Sequence, residues 1–136
     1  MKALAALPPA SGVAAMQSIN VAVLNPWFLG AFLGTAATCM LLTVSSILRW
    51  HKPDAAYLLA GSALYLFGTV LITILFNIPH NEALAAVDPA SPDAANLWAE
   101  YINSWTAWNH VRTAAAFAAS GSLTIALCLS HARAAG

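Results

Sequence analysis

Three long stretches of the chain carry no charged residue: Trp27–Leu48, Ala55–Pro79 and Thr113–Ser130. A helix needs about 20 apolar residues to cross the hydrocarbon core of a bilayer. The first two stretches reach that length, and the third reaches it if Arg112 and His131 sit at the interfaces. A buried soluble helix explains any one of them, but not three in a chain of 136 residues. The pattern therefore predicts an all-α transmembrane helical bundle. Its three spans cover about 26–49, 54–79 and 112–131, within a single membrane-embedded domain, residues 1–136.

Punctuation at the ends supports the division. Asn25-Pro26 offers an N-cap followed by proline at the first helical position, where a missing N–H costs nothing. Asp54 is placed to cap the second span. Two further stretches are predicted to be extramembrane helices. Over about 11–24, Val13, Met16, Ile19 or Asn20, and Val23 recur at helical spacing. Over about 91–111, Ser91-Pro92-Asp93 is a helix start. Leu97, Trp98, Tyr101, Ile102, Trp105, Trp108, Asn109 and Arg112 then recur at steps of three and four, on one face running toward the third span. The short apolar run Ala3–Leu7 is broken by Pro8-Pro9. It is shorter than the roughly 7–15 residues of a signal-peptide core, so none is expected.

Composition sharpens the membrane reading. Only 7% of residues are charged and 60% are hydrophobic, too few charges to cover a soluble surface. The zero net charge gives no support for nucleic acid as a partner; the expected partner is the lipid bilayer. Arg49 and Lys52 join the first two spans and Arg133 follows the third, whereas Glu82, Asp88, Asp93 and Glu100 fall at the opposite end. The positive-inside rule puts the 50–53 loop and the C-terminus in the cytoplasm and the 80–111 loop outside, most simply across a plasma (inner) membrane. Trp27, Trp50 and Trp108 lie near the expected interfaces. Cys39 and Cys128 fall in apolar segments and read as packing residues. Small residues mark helix contacts: Gly30 and Gly34 in the first span, Gly61 and Gly68 in the second, and Ala116, Ser120 and Thr124 in the third. Gly30 and Gly34 suit packing within the bundle, or a homo-oligomer contact.

Polar residues concentrate at the outer ends of spans two and three. Asn77 and Asn81 lie one helical turn apart, as do Trp105, Asn109 and Arg112 roughly. If the two spans are neighbours, these stripes face each other. One reading is a ligand pocket with aromatic walls from Trp98, Tyr101, Trp105 and Trp108 and with Asn, His and Arg orienting polar groups. The other is an interfacial belt with capping amides. His80, Glu82, Asp88, Glu100 and His110 share a side but lack metal-ligand spacing, so no metal site is expected. No serine or cysteine sits in a nucleophile elbow, and no charge within a span suggests an ion path.

Phe76-Asn77-Ile78-Pro79-His80-Asn81-Glu82-Ala83-Leu84, followed by Trp98, Tyr101, Trp105 and Trp108-Asn109-His110-Val111-Arg112-Thr113, resembles the anthrone oxygenase family (DUF1772). Asn25-Pro26-Trp27-Phe28 is similar as well. The resemblance implies a four-span membrane bundle with an Asn-x-Pro-x-Asn motif and a Trp-Asn-x-x-Arg motif flanking an extramembrane helical loop. This chain carries three spans, and the resemblance implies that a first helix would precede them. It also implies a small oxygenase, needing no metal or flavin cofactor, that oxidises an anthrone-like polycyclic phenol with molecular oxygen. The roles it implies are His80 or His110 as base, Asn77, Asn81 and Asn109 as hydrogen-bonding groups, and Arg112 as the group that stabilises an anion. The alternative is a non-catalytic membrane binding or assembly protein.

Overall fold

The computed structural model describes residues 1–134. Every regular element among them is helical. We number these α1 (Lys2–Ala5), α2 (Pro9–Ala22), α3 (Pro26–Leu48), α4 (Ala55–Ala85) and α5 (Ala94–Ala134). Helices α3, α4 and α5 are each long and apolar enough to cross a membrane. At 1.5 Å per residue, α3 is about 35 Å long and just spans the hydrocarbon core, whereas α5 reaches about 62 Å. The third span and the aromatic helix before it are thus one continuous rod, of which only part fits within a bilayer.

Two of the long helices start on local signals. Asn25 caps α3, its side chain accepting from the Phe28 N–H at 3.0 Å, with Pro26 next in line. Helix α5 begins at Ala94, after a turn closed by the Ala94 N–H on the Ser91 carbonyl. Asp54 precedes α4 but its side chain does not cap it. The carboxylate instead binds Arg49 at 3.1 Å and Arg133 at 3.0 Å. The sequence expectation of a cap fails because two guanidiniums are stronger partners than a backbone N–H.

Helix α4 is the centre of the bundle. It packs against α3 on one side and α5 on the other. Its glycines explain the close approach to α5: a Cβ on Gly61 would meet Leu123 at 2.7 Å, and one on Gly68 would overlap the Ala115 methyl. After Arg112, the buried small residues of α5 are Ala119 and Ala126. The expected stripe of Ala116, Ser120 and Thr124 lies outside this seam, with Ser120 and Thr124 exposed. Gly30 and Gly34 also depart from the intramolecular packing expected of them, since a Cβ on either would meet nothing within 4 Å. Leucine at Gly61 or Gly68 should therefore cost about 1–3 kcal/mol of stability through overpacking. Leucine at Gly30 or Gly34 should change it by less than about 0.5 kcal/mol. Unfolding of the four variants in one detergent compares them directly.

Midway, α4 changes its winding. Leu66–Leu71 and Thr73–Asn77 are π-helical, before Ile78–Ala85 resumes the α form. A π turn holds more residues than an α turn. It counters the drift of four-residue steps, so Thr69 and Thr73 both meet Arg112 of α5, and Thr69 and Asn77 are buried.

Near the C-terminal end of α4, α2 packs against both α4 and α5. Val13, Met16, Leu84, Trp98 and Tyr101 form a buried cluster there. Gln17 tethers α2 by donating to the Leu84 and Val87 carbonyls, both at 2.9 Å. Asn20, rather than Ile19, continues the buried face, since Ile19 is exposed.

Candidate functional site

Four cross-helix contacts set the register of α4 against α5. The Tyr101 hydroxyl donates to Asn81 at 2.8 Å, and His80 meets Ser104 at 2.7 Å. Phe76 stacks on Trp108 with centroids 3.6 Å apart, and Arg112 donates to Thr73 at 3.1 Å. The two polar stripes of the sequence therefore face each other along antiparallel helices.

Arg112 sits at the span end of this ladder, half-buried. Its Nε donates to Asn109 at 3.0 Å, while Thr69 donates to its backbone carbonyl at 3.4 Å. These bonds fix the side chain against α4. Arg112 also lines a groove of about 350 Å³ between α3 and α5, walled by Phe28, Phe32 and Phe117, with Thr69 alongside. A guanidinium has five N–H donors. Two groups, Asn109 and Thr73, take one each, which leaves donors for a ligand in the groove. A permanent cation beside apolar and aromatic walls is suited to an oxygen that carries or develops negative charge, on a flat apolar molecule.

His80 belongs to a different cleft. Its Nδ1 contacts the Phe76 carbonyl, which can only accept, so that nitrogen carries the proton. The lone pair on Nε2 then accepts from the Ser104 hydroxyl. The tautomer follows from the network. His80 and Tyr101 line a second groove of about 340 Å³ with Leu97 and Glu100. His110 is exposed. It lies two residues from Arg112, about 200° around the helix, so it points away from the Arg112 groove. The two candidate bases and the candidate anion-binding residue are not gathered in one pocket.

The aromatic candidates also divide. Trp98 is 3% exposed, and an added Cβ at Gly12 would meet its ring atoms at 2.5–2.7 Å. It is core beneath α2, not the wall of an open pocket. Tyr101 stacks on both Trp98 and Trp105. Trp108 is held against Phe76 rather than standing free at an interface. Asn77 is 3% exposed and both atoms of its amide lack a partner, as do the indole N–H groups of Trp98 and Trp105. No three His, Cys, Asp or Glu side chains converge among the described residues.

Thr69, Thr73 and Ser104 are not marked by the sequence reading, nor are the groove residues Phe32 and Phe117; Phe28 enters only through the Asn25-Pro26-Trp27-Phe28 motif. The four-residue row Thr69, Thr73, Asn77, Asn81 was the available signal for the threonines. Phe32 and Phe117 gave none, because apolar residues in an apolar span look alike.

The fold and this groove define a class: an all-helical protein with three membrane-length helices and a cationic, aromatic-walled cleft. Residues 26–122 match the anthrone oxygenase family, and the chain belongs to that family. The matched segment includes α3, α4 and the part of α5 that carries the Trp108-Asn109-His110-Val111-Arg112 motif. No curated protein and no solved structure matches the chain.

Proposed function

We propose that the chain is a cofactor-independent oxygenase of an anthrone-like polycyclic phenol, and that the Arg112 groove is where the substrate binds. The observation that carries this reading is the guanidinium held by Asn109 and Thr73 at the edge of an aromatic-walled groove. Membership of the family supports the choice of chemistry.

The reaction follows from the acidity of an anthrone. The keto oxygen lies on Arg112, and loss of a proton from the opposite ring carbon places negative charge on that oxygen. Arg112 stabilises the charge as it develops. The carbanion carbon adds molecular oxygen to give a hydroperoxide, taking up one proton. Loss of water leaves a second carbonyl, so anthrone plus O₂ gives anthraquinone plus water. Neither candidate base, His80 or His110, lines this groove, so the proton passes to one of them through water. Asn77 and Asn81 continue the polar row along α4. Purified protein incubated with an anthrone in oxygenated buffer should form quinone faster than the same mixture without protein. Equal rates would overturn the proposal.

A second reading, a non-catalytic binding or assembly protein, is favoured by one observation. Much of the polar cluster is already satisfied internally, with Arg112 on Asn109 and Thr73, Asn81 on Tyr101, and both His80 nitrogens engaged.

In either reading we place the chain in a plasma (inner) membrane. Arg49, Lys52 and Arg133 then lie on the cytoplasmic side, and the acidic α4–α5 connection lies outside. Asp54 ties this basic end together. Burial pushes its carboxyl up, but a backbone hydrogen bond and the Arg133 and Arg49 guanidiniums outweigh that and hold it below its usual value. A carboxyl depressed in the folded state adds stability above its unfolded pKa, and that stability is lost as pH falls through the folded value. Stability should therefore drop on acidification below the ordinary aspartate range. Asp54→Asn should be weaker at neutral pH and flatter across that acid window, as read by unfolding at a series of pH values.

A further inference from the structure

We propose that Arg49 and Arg133, held side by side by the buried Asp54 carboxylate, form a binding site for the phosphate of an anionic phospholipid. Asp54 is 2% exposed and gives one oxygen to each guanidinium. Because the two oxygens belong to one carboxylate, the two cations are fixed next to each other. They come from distant parts of the chain, the end of α3 and the end of α5, so the site exists only in the folded bundle. Asp54 cancels one of the two charges. The other acidic residues, Glu82, Asp88, Asp93 and Glu100, belong to α4's far end, the α4–α5 connection and α5's first turns. Arg49, Lys52 and Arg133 against one carboxylate leave this end positive.

The donors point to an occupant. Each guanidinium spends one of its five N–H groups on Asp54, and the side chains remain 43% and 37% exposed. Neither makes another hydrogen bond among the described residues. A phosphate diester presents two charged oxygens, the shape that paired guanidiniums recognise. The surroundings favour a lipid over free phosphate. The site lies where α3 ends and α4 begins, at the level of headgroups if both helices span. On its membrane side Ile47 and Leu48 are exposed, and Trp50 beside it is exposed as well. Just before Arg133 along α5, Leu127, Cys128, His131 and Ala132 line a mostly apolar groove that suits an acyl chain. Basic pockets between helices at a membrane face are a recurring way of holding anionic headgroups.

The test uses the full chain in nanodiscs of mixed phosphatidylcholine and phosphatidylglycerol, with retained lipid counted by native mass spectrometry. Phosphatidylglycerol should be retained preferentially, and Arg49→Gln or Arg133→Gln should lower that preference about fivefold each. Arg133→Lys and Arg49→Lys keep the charge and the bond to Asp54, so they guard against loss of folding. They should lower the preference nearly as much, whereas Lys52→Gln should change it little. Arginine-to-lysine variants that behave like the original chain would overturn the proposal, because diffuse charge would then suffice. Displacement of the lipid by millimolar inorganic phosphate would overturn it too, by showing a phosphate site instead.

Discussion

Replacing Arg112 with methionine should lower quinone formation by about 10²–10³-fold, the usual cost of removing one group that stabilises a developing oxyanion. The effect should fall on kcat. A neutral anthrone is held mainly by the apolar walls from Phe28, Phe32 and Phe117, which the substitution leaves in place. The guanidinium matters most once the keto oxygen becomes anionic, so its loss removes transition-state binding rather than ground-state binding. Lysine at the same position should recover part of the rate, because it restores charge but not the planar fork that holds Asn109 and Thr73 together. Thr73→Val should have a smaller effect than either, since the Asn109 bond still positions the guanidinium. Steady-state rates for the three variants, with circular dichroism to show they remain helical, give the ranking. Full activity in Arg112→Met would remove the groove from the mechanism. A raised KM with unchanged kcat would instead assign Arg112 to ground-state binding of the substrate.

The elements of this fold were readable in the sequence because membrane helices obey a simple rule. An uncharged run of sufficient length has few other fates, and the start at Asn25 carried a recognisable signal; Ser91-Pro92-Asp93 instead forms the turn before a helix that begins at Ala94 with no acid in its first turn. The π winding of α4 was not readable. It coincides with the bonds of Thr69 and Thr73 to Arg112, and nothing in Leu66–Asn77 taken alone distinguishes it from an ordinary helix. Packing partners were readable only in part. Four glycines stood in two spans, but only Gly61 and Gly68 meet a neighbouring helix. A small residue permits close approach without saying which helix will approach. Asp54 illustrates a further limit. Its position before α4 suggested a cap, while its actual partner Arg133 lies 79 residues away. The candidate site suffered from the same blindness. Helical spacing placed Asn109 and Arg112 together correctly, yet it could not tell an aromatic that lines a cleft from one that fills a core, because Trp98, Tyr101 and Trp105 share a stripe.

Trp98 is where that ambiguity is best tested. Trp98→Ala should destabilise the chain by about 3–5 kcal/mol, the range for emptying a large aromatic site in a core. The site lies in the α2 cluster, where Val13, Met16, Leu84 and Tyr101 are buried around the ring. The cost should be local. Hydrogen exchange in α2 should accelerate while amides of α3 keep their protection, since α2 rests on Val13, Met16, Leu84, Trp98 and Tyr101. Gly12 supplies the control. An added methyl there would strike the Trp98 ring at 2.5–2.7 Å, so Gly12→Ala alone should cost about 1–3 kcal/mol. In the Trp98→Ala background the same methyl enters the vacated space, and its cost should shrink or reverse. That non-additivity is the signature of two residues in direct contact. A Trp98 that served as a ligand wall would behave otherwise: Trp98→Ala would leave α2 protected, the two substitutions would add, and the loss would appear in substrate affinity instead of stability. Strong coupling between Gly12 and Trp98, with an unchanged KM for the anthrone, would assign the tryptophan to the scaffold and leave the groove beside Arg112 as the place where the substrate is held.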